Sequence, residues 1–287
     1  MMVSTFDELH RLVQGAKPKK VALVAADDPI LIEAAGRAQN EGLAHFILIG
    51  DQANIQSLIS GVETKFEIID SRMPAETAVA LINQGQADLM MKGKLPTGDL
   101  LKAVLNRETG LRKGELLNHI AVIESPSYHK LLFISDGGIN LKFDEQTYCH
   151  MVQNIADYMQ RLGIEEPRFA MLTLIEKVNQ KIPETVIAQN VVARLGSEYR
   201  IEGPIAPDVA LSVDAARLKG LNSEIAGEVD VFLMPNTTAA NHLVKGLSIL
   251  GGCKVGGVIV GARVPIILLS RSDDAEAKYR SILLGLV

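Results

Sequence analysis

The sequence predicts an α/β protein built on largely parallel sheets, and three observations carry that expectation. Short apolar runs suited to strands buried on both faces recur at intervals of roughly 20 residues through the first third of the chain. Helix-start and helix-stop residues fill the gaps between them, so strand and helix alternate as in βαβ units. The chain has 287 residues, 47% of them apolar and none tryptophan. That length suits two domains of a packed soluble α/β enzyme better than one.

Taken in order, Thr5 and Glu8 have the spacing of a capping box that opens a short helix. Residues 20–26 form a first buried strand. Pro29 at a first helical position and Gly42 just past the end bracket the next helix. A strand at 46–50 precedes a helix bounded by Asp51 and Gly61, and a strand at 66–70 precedes a helix at 74–83. The fourth strand is 88–91. The middle breaks this rhythm. Runs at 120–124 and 131–135 are joined by 125–130 alone, too short for a helical crossover, so an antiparallel pair is expected. The passage between lobes is placed there: 1–133 with 255–287 as a first α/β lobe, and 134–254 as a second. A helix at 145–162, a strand at 169–175, a helix at 184–195, a strand at 229–234, a helix at 239–250 and a strand at 255–260 follow. The apolar run 264–269 reads as a last buried strand. Glu276, Lys278, Tyr279, Ile282 and Leu283 then recur at helical spacing.

Several classes are excluded. A net charge of -5 gives no basic field, so nucleic acid is not an expected partner. No apolar run reaches the roughly 18 residues of a membrane span. The first residues lack the charged and apolar regions of a signal peptide. Two distant cysteines, Cys149 and Cys253, suit a reducing cytoplasm better than a disulfide frame. No two glycines are separated by a single residue, so a G-x-G-x-x-G fingerprint is absent. Gly93-Lys94-Leu95 lacks the hydroxyl and the upstream glycine of a Walker loop. With no C-x-x-C and no H-E-x-x-H, no metal site is expected. There is no G-x-S-x-G elbow.

Ligands of open α/β sheets bind beyond the carboxyl ends of strands, so polar residues at predicted strand ends are the candidates. Ser270 and Arg271 stand between the last strand and the last helix. They present a hydroxyl and a guanidinium to an anion at a helix start, or else Ser270 caps the helix and Arg271 is a solvated charge. Lys92, Gly93, Lys94 and Thr97 suit a phosphate, or form a solvated loop with Thr97 as cap. Asp208 lies in a mostly apolar stretch and needs a partner, or complements a helix dipole. Asn236, Asn241 and Lys245 follow the strand at 229–234, the last two on one helix face. Ser135-Asp136-Gly137-Gly138 marks a sharp turn. Six histidines are scattered. His119 and His242 lie nearest these clusters and read more readily as packing or surface residues than as chemistry.

In order and spacing, these pieces resemble the phosphate acetyl/butyryl transferases over roughly residues 15 to 287. The resemblance rests on Glu176-Lys177-Val178-Asn179 through Thr185, Gly203-Pro204 to Asp208, Ala226-Gly227-x-x-Asp230, Pro235-Asn236 to Asn241-x-x-x-Lys245, and Val264-Pro265 to Ser270-Arg271. The first segment, 260–266 and 270–273 look most like the butyryltransferase branch. The resemblance implies an isocitrate/isopropylmalate dehydrogenase-like fold with two lobes and a deep interlobe cleft, usually as a homodimer. It also implies the reaction acyl-CoA + phosphate ⇌ acyl phosphate + CoA, with coenzyme A as substrate and no bound cofactor. Under that reading Ser270 and Arg271 are catalytic, and Lys92, Gly93, Thr97, Asn241 and Lys245 form an anion-binding wall. Arg112 faces the CoA phosphates, and Asp136, Asp208 and Asn236 are further cleft residues. The chain departs from the family in having Ala240 where a glycine is usual, and Ala277 where the acetyltransferases carry an aspartate base. A phosphate acetyltransferase, a same-fold metal- or NAD-dependent dehydrogenase, and an inactive acyl-CoA-binding protein are the alternatives.

Overall fold

The computed structural model describes residues 3–268, 270 and 273–287. In chain order the elements are α1 (Phe6–Gln14), β1 (Lys19–Val24), α2 (Pro29–Asn40), β2 (Ala44–Gly50), α3 (Gln52–Leu58), β3 (Glu67–Asp70), α4 (Pro74–Asn83), β4 (Leu89–Lys92) and α5 (Thr97–Val104). Next come β5 (Asn118–Glu124), β6 (Leu132–Ser135), α6 (Glu145–Arg161), β7 (Arg168–Leu172), α7 (Pro183–Leu195), β8 (Arg200–Ile205), α8 (Pro207–Leu211) and α9 (Val213–Leu218). The chain ends with β9 (Val231–Leu233), α10 (Thr237–Ile249), β10 (Lys254–Val260), β11 (Ile266–Ile267) and α11 (Ala275–Gly285).

These elements form two compact units. One combines Phe6–Glu115 with Gly256–Val287; the other holds Leu116–Val255 and the amino-terminal segment up to Thr5. The chain therefore changes unit between 115 and 116. The boundary expected at 133/134 falls instead after β5 and inside β6, whose antiparallel pairing, Ile120 to Ser135 through Ile123 to Leu132, keeps both strands in one unit.

In the first unit the strand order is β3-β2-β1-β4-β11-β10. All neighbours run parallel except β10 and β11. The fully buried runs of β1 and β4 explain their near-continuous apolar sequence. β11 is shorter than the expected 264–269. Pro265 has no N–H for a ladder, and Val264 and Pro265 are half-buried in the turn from β10. Helix α1 buries Phe6, Leu9 and Val13, one face at helical spacing, each side chain contributing about 1.5–3 kcal/mol. Asp28 caps α2 through Ile30 N, while its other oxygen receives Nζ of the buried Lys278 at 3.1 Å. That ion pair joins α2 to α11.

In the second unit the order is β5-β6-β9-β7-β8, with only β5 antiparallel to its neighbour. The core lies between this sheet and its helices, around Ile134, Ala170, Val209, Phe232 and Ala240. At the amino ends of the strands, buried Lys130 donates to Asp230 Oδ1 at 2.7 Å and to Glu228 O at 2.6 Å. Asp230 Oδ2 also accepts from Arg168 N at 2.8 Å. The starts of β6, β9 and β7 are thereby tied together.

Candidate active site

In the first unit, strands β2 and β3 lie to one side of β1, and β4 and β11 to the other. The strand order thus reverses between β1 and β4, the kind of switch point beyond whose carboxyl ends open α/β sheets bind ligands. Lys92 and Gly93 occupy that point. Gly93 N donates to Val24 O at 2.7 Å, and Lys94 N to Ala25 O at 2.9 Å. A Cβ on Gly93 would lie 2.2 Å from Ala25 O and 2.5 Å from Val24 O, so only glycine fits. Ala25 itself takes φ 54, a conformation uncommon outside glycine. Lys92 is buried, and its Nζ donates to Gly93 O at 3.1 Å. Burial pushes the Asp27 carboxyl up, against the opposing pull of Lys94.

Thr97 is the first residue of α5. The cap position is Pro96, which supplies no side-chain bond, so Thr97 is not the cap. Ser270 follows β11, the neighbour of β4 with Ile267 paired to Met91, so it comes after the carboxyl end of the adjacent strand. Ser270 is exposed, and its N–H donates to Asp273 Oδ2 at 2.8 Å. The cap of α11 is Asp274, which accepts from Ala277 N at 2.7 Å, so the capping alternative for Ser270 does not hold. Burial raises the Asp273 carboxyl, and the bond from Ser270 opposes it. Glu276 is paired with Arg37 at 2.6 Å. Arg271 lies outside the described residues. Arg112 is exposed, 3.9 Å from Glu115, and its backbone bridges to Ala262 rather than lying at a strand end.

In the second unit, the antiparallel pairing sets the start of β5 beside the end of β6, so His119 neighbours Asp136. The buried Asp136 carboxylate accepts from Gly138 N at 2.7 Å, Ile139 N at 2.9 Å, Asn140 N at 3.3 Å, Asn140 Nδ2 at 2.7 Å and His119 N at 3.2 Å. Its oxygens are committed to holding the 136–140 turn. Asn236 is the cap of α10, accepting from Ala239 N at 2.8 Å. Asp208 is exposed rather than enclosed in apolar surroundings. Lys219 binds it at 2.9 Å and Glu176 at 2.7 Å, and the Lys219 hydrogen bond holds the Asp208 carboxyl below the usual range. Asn241 is half-buried and donates to Gly137 O at 3.3 Å. Lys245, one turn further along α10, is exposed, and no ion pair to it is found among the described residues.

His119 stands next to the 136–140 turn. Its Nδ1 is buried without a hydrogen-bond partner, and burial pushes the ring's pKa down against the opposing effect of Asp136. Its place at a predicted strand end was the one available signal. A cavity of about 420 Å³ also occurs in this unit, lined by Glu165, Glu198, Arg200, Glu202 and Glu224 among others. It sits at the amino ends of β7 and β8, opposite the edge described above. Among the described residues no group of three or more His, Cys, Asp or Glu side chains could hold a metal ion. No helix among them is long and apolar enough to cross a membrane.

The family model described as "Phosphate acetyl/butaryl transferase" matches residues 69–285. A phosphate butyryltransferase of Clostridium acetobutylicum is 36% identical over 295 residues, covering 99% of this chain and 98% of the relative. A phosphate acetyltransferase of Thermotoga maritima is 35% identical, covering 97% and 99%. Among solved structures, a branched-chain phosphotransacylase from Enterococcus faecalis V583 superposes with a TM-score of 0.85 at 30% identity, covering 93% of this chain and 98% of that one.

Proposed function

The chain belongs to the phosphate acetyl/butyryl transferase family, and from that premise we propose that it is a phosphate acyltransferase: acyl-CoA + phosphate ⇌ acyl phosphate + CoA. The observation that carries the reading is the near-full-length similarity to phosphate butyryl- and acetyltransferases. A short acyl chain, butyryl before acetyl, is the proposed substrate. The motive is the butyryltransferase-like segment from Glu176 to Thr185. Each extra buried methylene adds about 0.8 kcal/mol, so the preference should be modest.

In this reaction a phosphate oxygen attacks the thioester carbon, the C–S bond breaks, and CoA leaves as a thiolate that takes up a proton. The intermediate is a tetrahedral oxyanion beside a charged phosphate. The protein must therefore align two substrates and stabilise new negative charge. Arg271 is assigned to the phosphate, through the paired hydrogen bonds a guanidinium offers, and Ser270 to the oxyanion or the sulfur. Lys92, Gly93, Thr97, Asn241 and Lys245 supply the anion-binding wall, and Arg112 the CoA phosphates. Asp136 and Asn236 act as scaffold for that wall, and Asp208 as the anchor of Lys219. Transfer is direct, without an acyl-enzyme, and coenzyme A enters as a substrate. The dehydrogenase-like lobe arrangement with its interlobe cleft, a homodimer and a cytoplasmic location belong to the same proposal.

The test is release of free thiol from acetyl-, butyryl- and branched acyl-CoA, with and without phosphate. Phosphate-dependent release, fastest per KM with butyryl-CoA, is expected. No phosphate-dependent release from any of the three would overturn the reading. A clear preference for acetyl-CoA would overturn the chain-length assignment alone.

A further inference from the structure

His119 is the second residue of β5, on the opposite face from Asn118, whose amide donates to Ser135 Oγ at 3.0 Å and accepts from Asn154 at 3.0 Å. Its imidazole therefore faces the α10 side of the sheet. A methyl group added at Gly137 would lie 3.6 Å from His119 Nδ1 and 3.9 Å from Ala240 Cβ. The ring thus stands beside the turn after β6 and the first turn of α10, where Asn241 donates to Gly137 O at 3.3 Å.

The two ring nitrogens differ. Nδ1 has neither solvent nor a partner. Nε2 is not among the buried unsatisfied atoms and no protein group bonds it, so it meets solvent. An unpaired N–H in a buried position costs on the order of 1–3 kcal/mol, whereas the same proton on Nε2 is hydrated. The neutral ring consequently carries its proton on Nε2. A second proton would have to sit on Nδ1, putting charge where nothing compensates it. Asp136 is the charged group that acts on the ring and favours the cation, but burial outweighs it. His242 and Lys245 on α10 are exposed. The result is a fixed, uncharged N–H donor at the carboxyl edge of the sheet, beside a helix start.

An uncharged donor is poorly suited to hold a phosphate dianion, which a cation holds better. It suits an oxygen that is neutral in the substrate and negative in the transition state, because the bond then strengthens as the reaction proceeds. In acyl transfer that oxygen is the thioester carbonyl. We propose that His119 donates its Nε2–H to the acyl oxygen of the substrate, the atom that becomes the tetrahedral oxyanion. No proton leaves the imidazole. This assignment rests on the acyltransferase reading above and leaves the phosphate to Arg271 and the lysines.

The experiment compares wild type with His119→Ala, His119→Gln and His119→Asn in steady-state thiol release with butyryl-CoA and phosphate, each variant checked by circular dichroism. It is joined by 15N NMR of the wild-type histidines between pH 5 and 8. His119→Ala should lose on the order of 10²-fold in kcat, with KM for phosphate within about threefold. Gln, whose amide nitrogen reaches the place of Nε2, should recover about tenfold over Ala, and Asn, which mimics Nδ1, should not. The NMR should show a neutral ring protonated on Nε2 at pH 6. An effect confined to KM for phosphate, Gln no better than Asn, or an imidazolium at pH 6 would each overturn the proposal. If His119→Ala fails to fold, the Gln and Asn comparison and the NMR still decide. Wild type without phosphate-dependent release would remove the acyltransferase reading and this role together. An active wild type beside a fully active His119→Ala would remove the role alone.

Discussion

Gly93→Ala is the sharpest test of the switch point between β1 and β4. The new Cβ would stand 2.2 Å from Ala25 O and 2.5 Å from Val24 O, where ordinary contact begins near 3.4 Å. Backbone must move by more than an ångström at a point where both neighbours are strand ends. Those same oxygens accept the bonds from Gly93 N at 2.7 Å and Lys94 N at 2.9 Å, so the displacement that relieves the clash also breaks both. A forced shift of this kind costs about 2 kcal/mol, and each lost bond about 1 kcal/mol, for a destabilisation of about 4 kcal/mol. Lys92, buried and bonded to Gly93 O, moves with it, so activity should fall as well. Urea unfolding followed by circular dichroism measures the first effect and thiol release the second. Gly98→Ala is the control. It sits inside α5 with nothing within 4 Å of a new Cβ, and should be neutral or stabilising by up to about 1 kcal/mol. A Gly93→Ala protein within about 0.5 kcal/mol of wild type and equally active would refute the claim that this approach shapes the site.

Lys130→Ala leaves the buried Asp230 without its cation and should cost about 3–5 kcal/mol, seen as a lowered Tm. Glu41 is held below the usual glutamate range: burial acts against this, but the Tyr279 hydroxyl, Arg37 and His10 together prevail. A depressed carboxylate stabilises the fold above its unfolded pKa of about 4.3 and loses that contribution as pH falls through the lower folded value. Glu41→Gln should thus be less stable at pH 7 and show a shallower loss in acid, measured by Tm against pH; an unchanged acid limb would count against the cluster. Arg271→Ala should lower kcat on the order of 10²–10³ and Arg271→Lys nearly as far, while Lys245→Ala should mainly raise one KM. Full turnover by Arg271→Ala at saturating phosphate would move the centre to the Lys92 loop. Replacing both cysteines with alanine should leave turnover within a few fold. Burial raises the Cys149 thiol, and Cys253 is buried with its thiol donating to Gly251 O at 3.7 Å; a stable acyl adduct by mass spectrometry would argue against direct transfer.

Most of the parallel strands were legible because they are apolar runs beside helices with recognisable starts, and such runs depend on local sequence. Asp28, Asp51, Asp144 and Asn236 cap the helices they precede through their own side chains. β8 was not legible. Gly203 and Pro204 interrupt it, and proline counts against a strand. It survives because β8 is the last strand in the order, where a proline is tolerated and the ladder to β7 steps from Ala170–Glu202 to Leu172–Ile205 around it. β11 erred the other way. An apolar run of six shows burial but not pairing, and among its described residues Ile266 and Ile267 alone join the ladder. The lobe boundary failed for a related reason: a short link shows that two strands are antiparallel, and such strands stay in one unit.

The site was less legible, because residue type reveals what a side chain can bond and only the fold reveals what it already bonds. Asp136, Asp208 and Asn236 all stand at the predicted strand ends. Yet Asp136 is occupied by five donors, Asp208 by Lys219 from eleven residues on, and Asn236 by its own helix. Turning Asp136 or Asn236 toward a substrate would uncover the backbone N–H groups they hold, at about 1–3 kcal/mol each where they are buried, whereas Asp208 is spent in an exposed ion pair with Lys219. In the proposed reading these three therefore serve as scaffold, and the chemistry is assigned to groups whose bonding capacity is unspent. In the reading proposed above the second unit contributes two such groups, Lys245 and the Nε2 of His119. A reaction that joins a dianion to a carbonyl needs one donor of each kind, because a charge suited to the phosphate would bind the ground state, whereas the neutral donor gains strength only as the carbonyl oxygen becomes an anion.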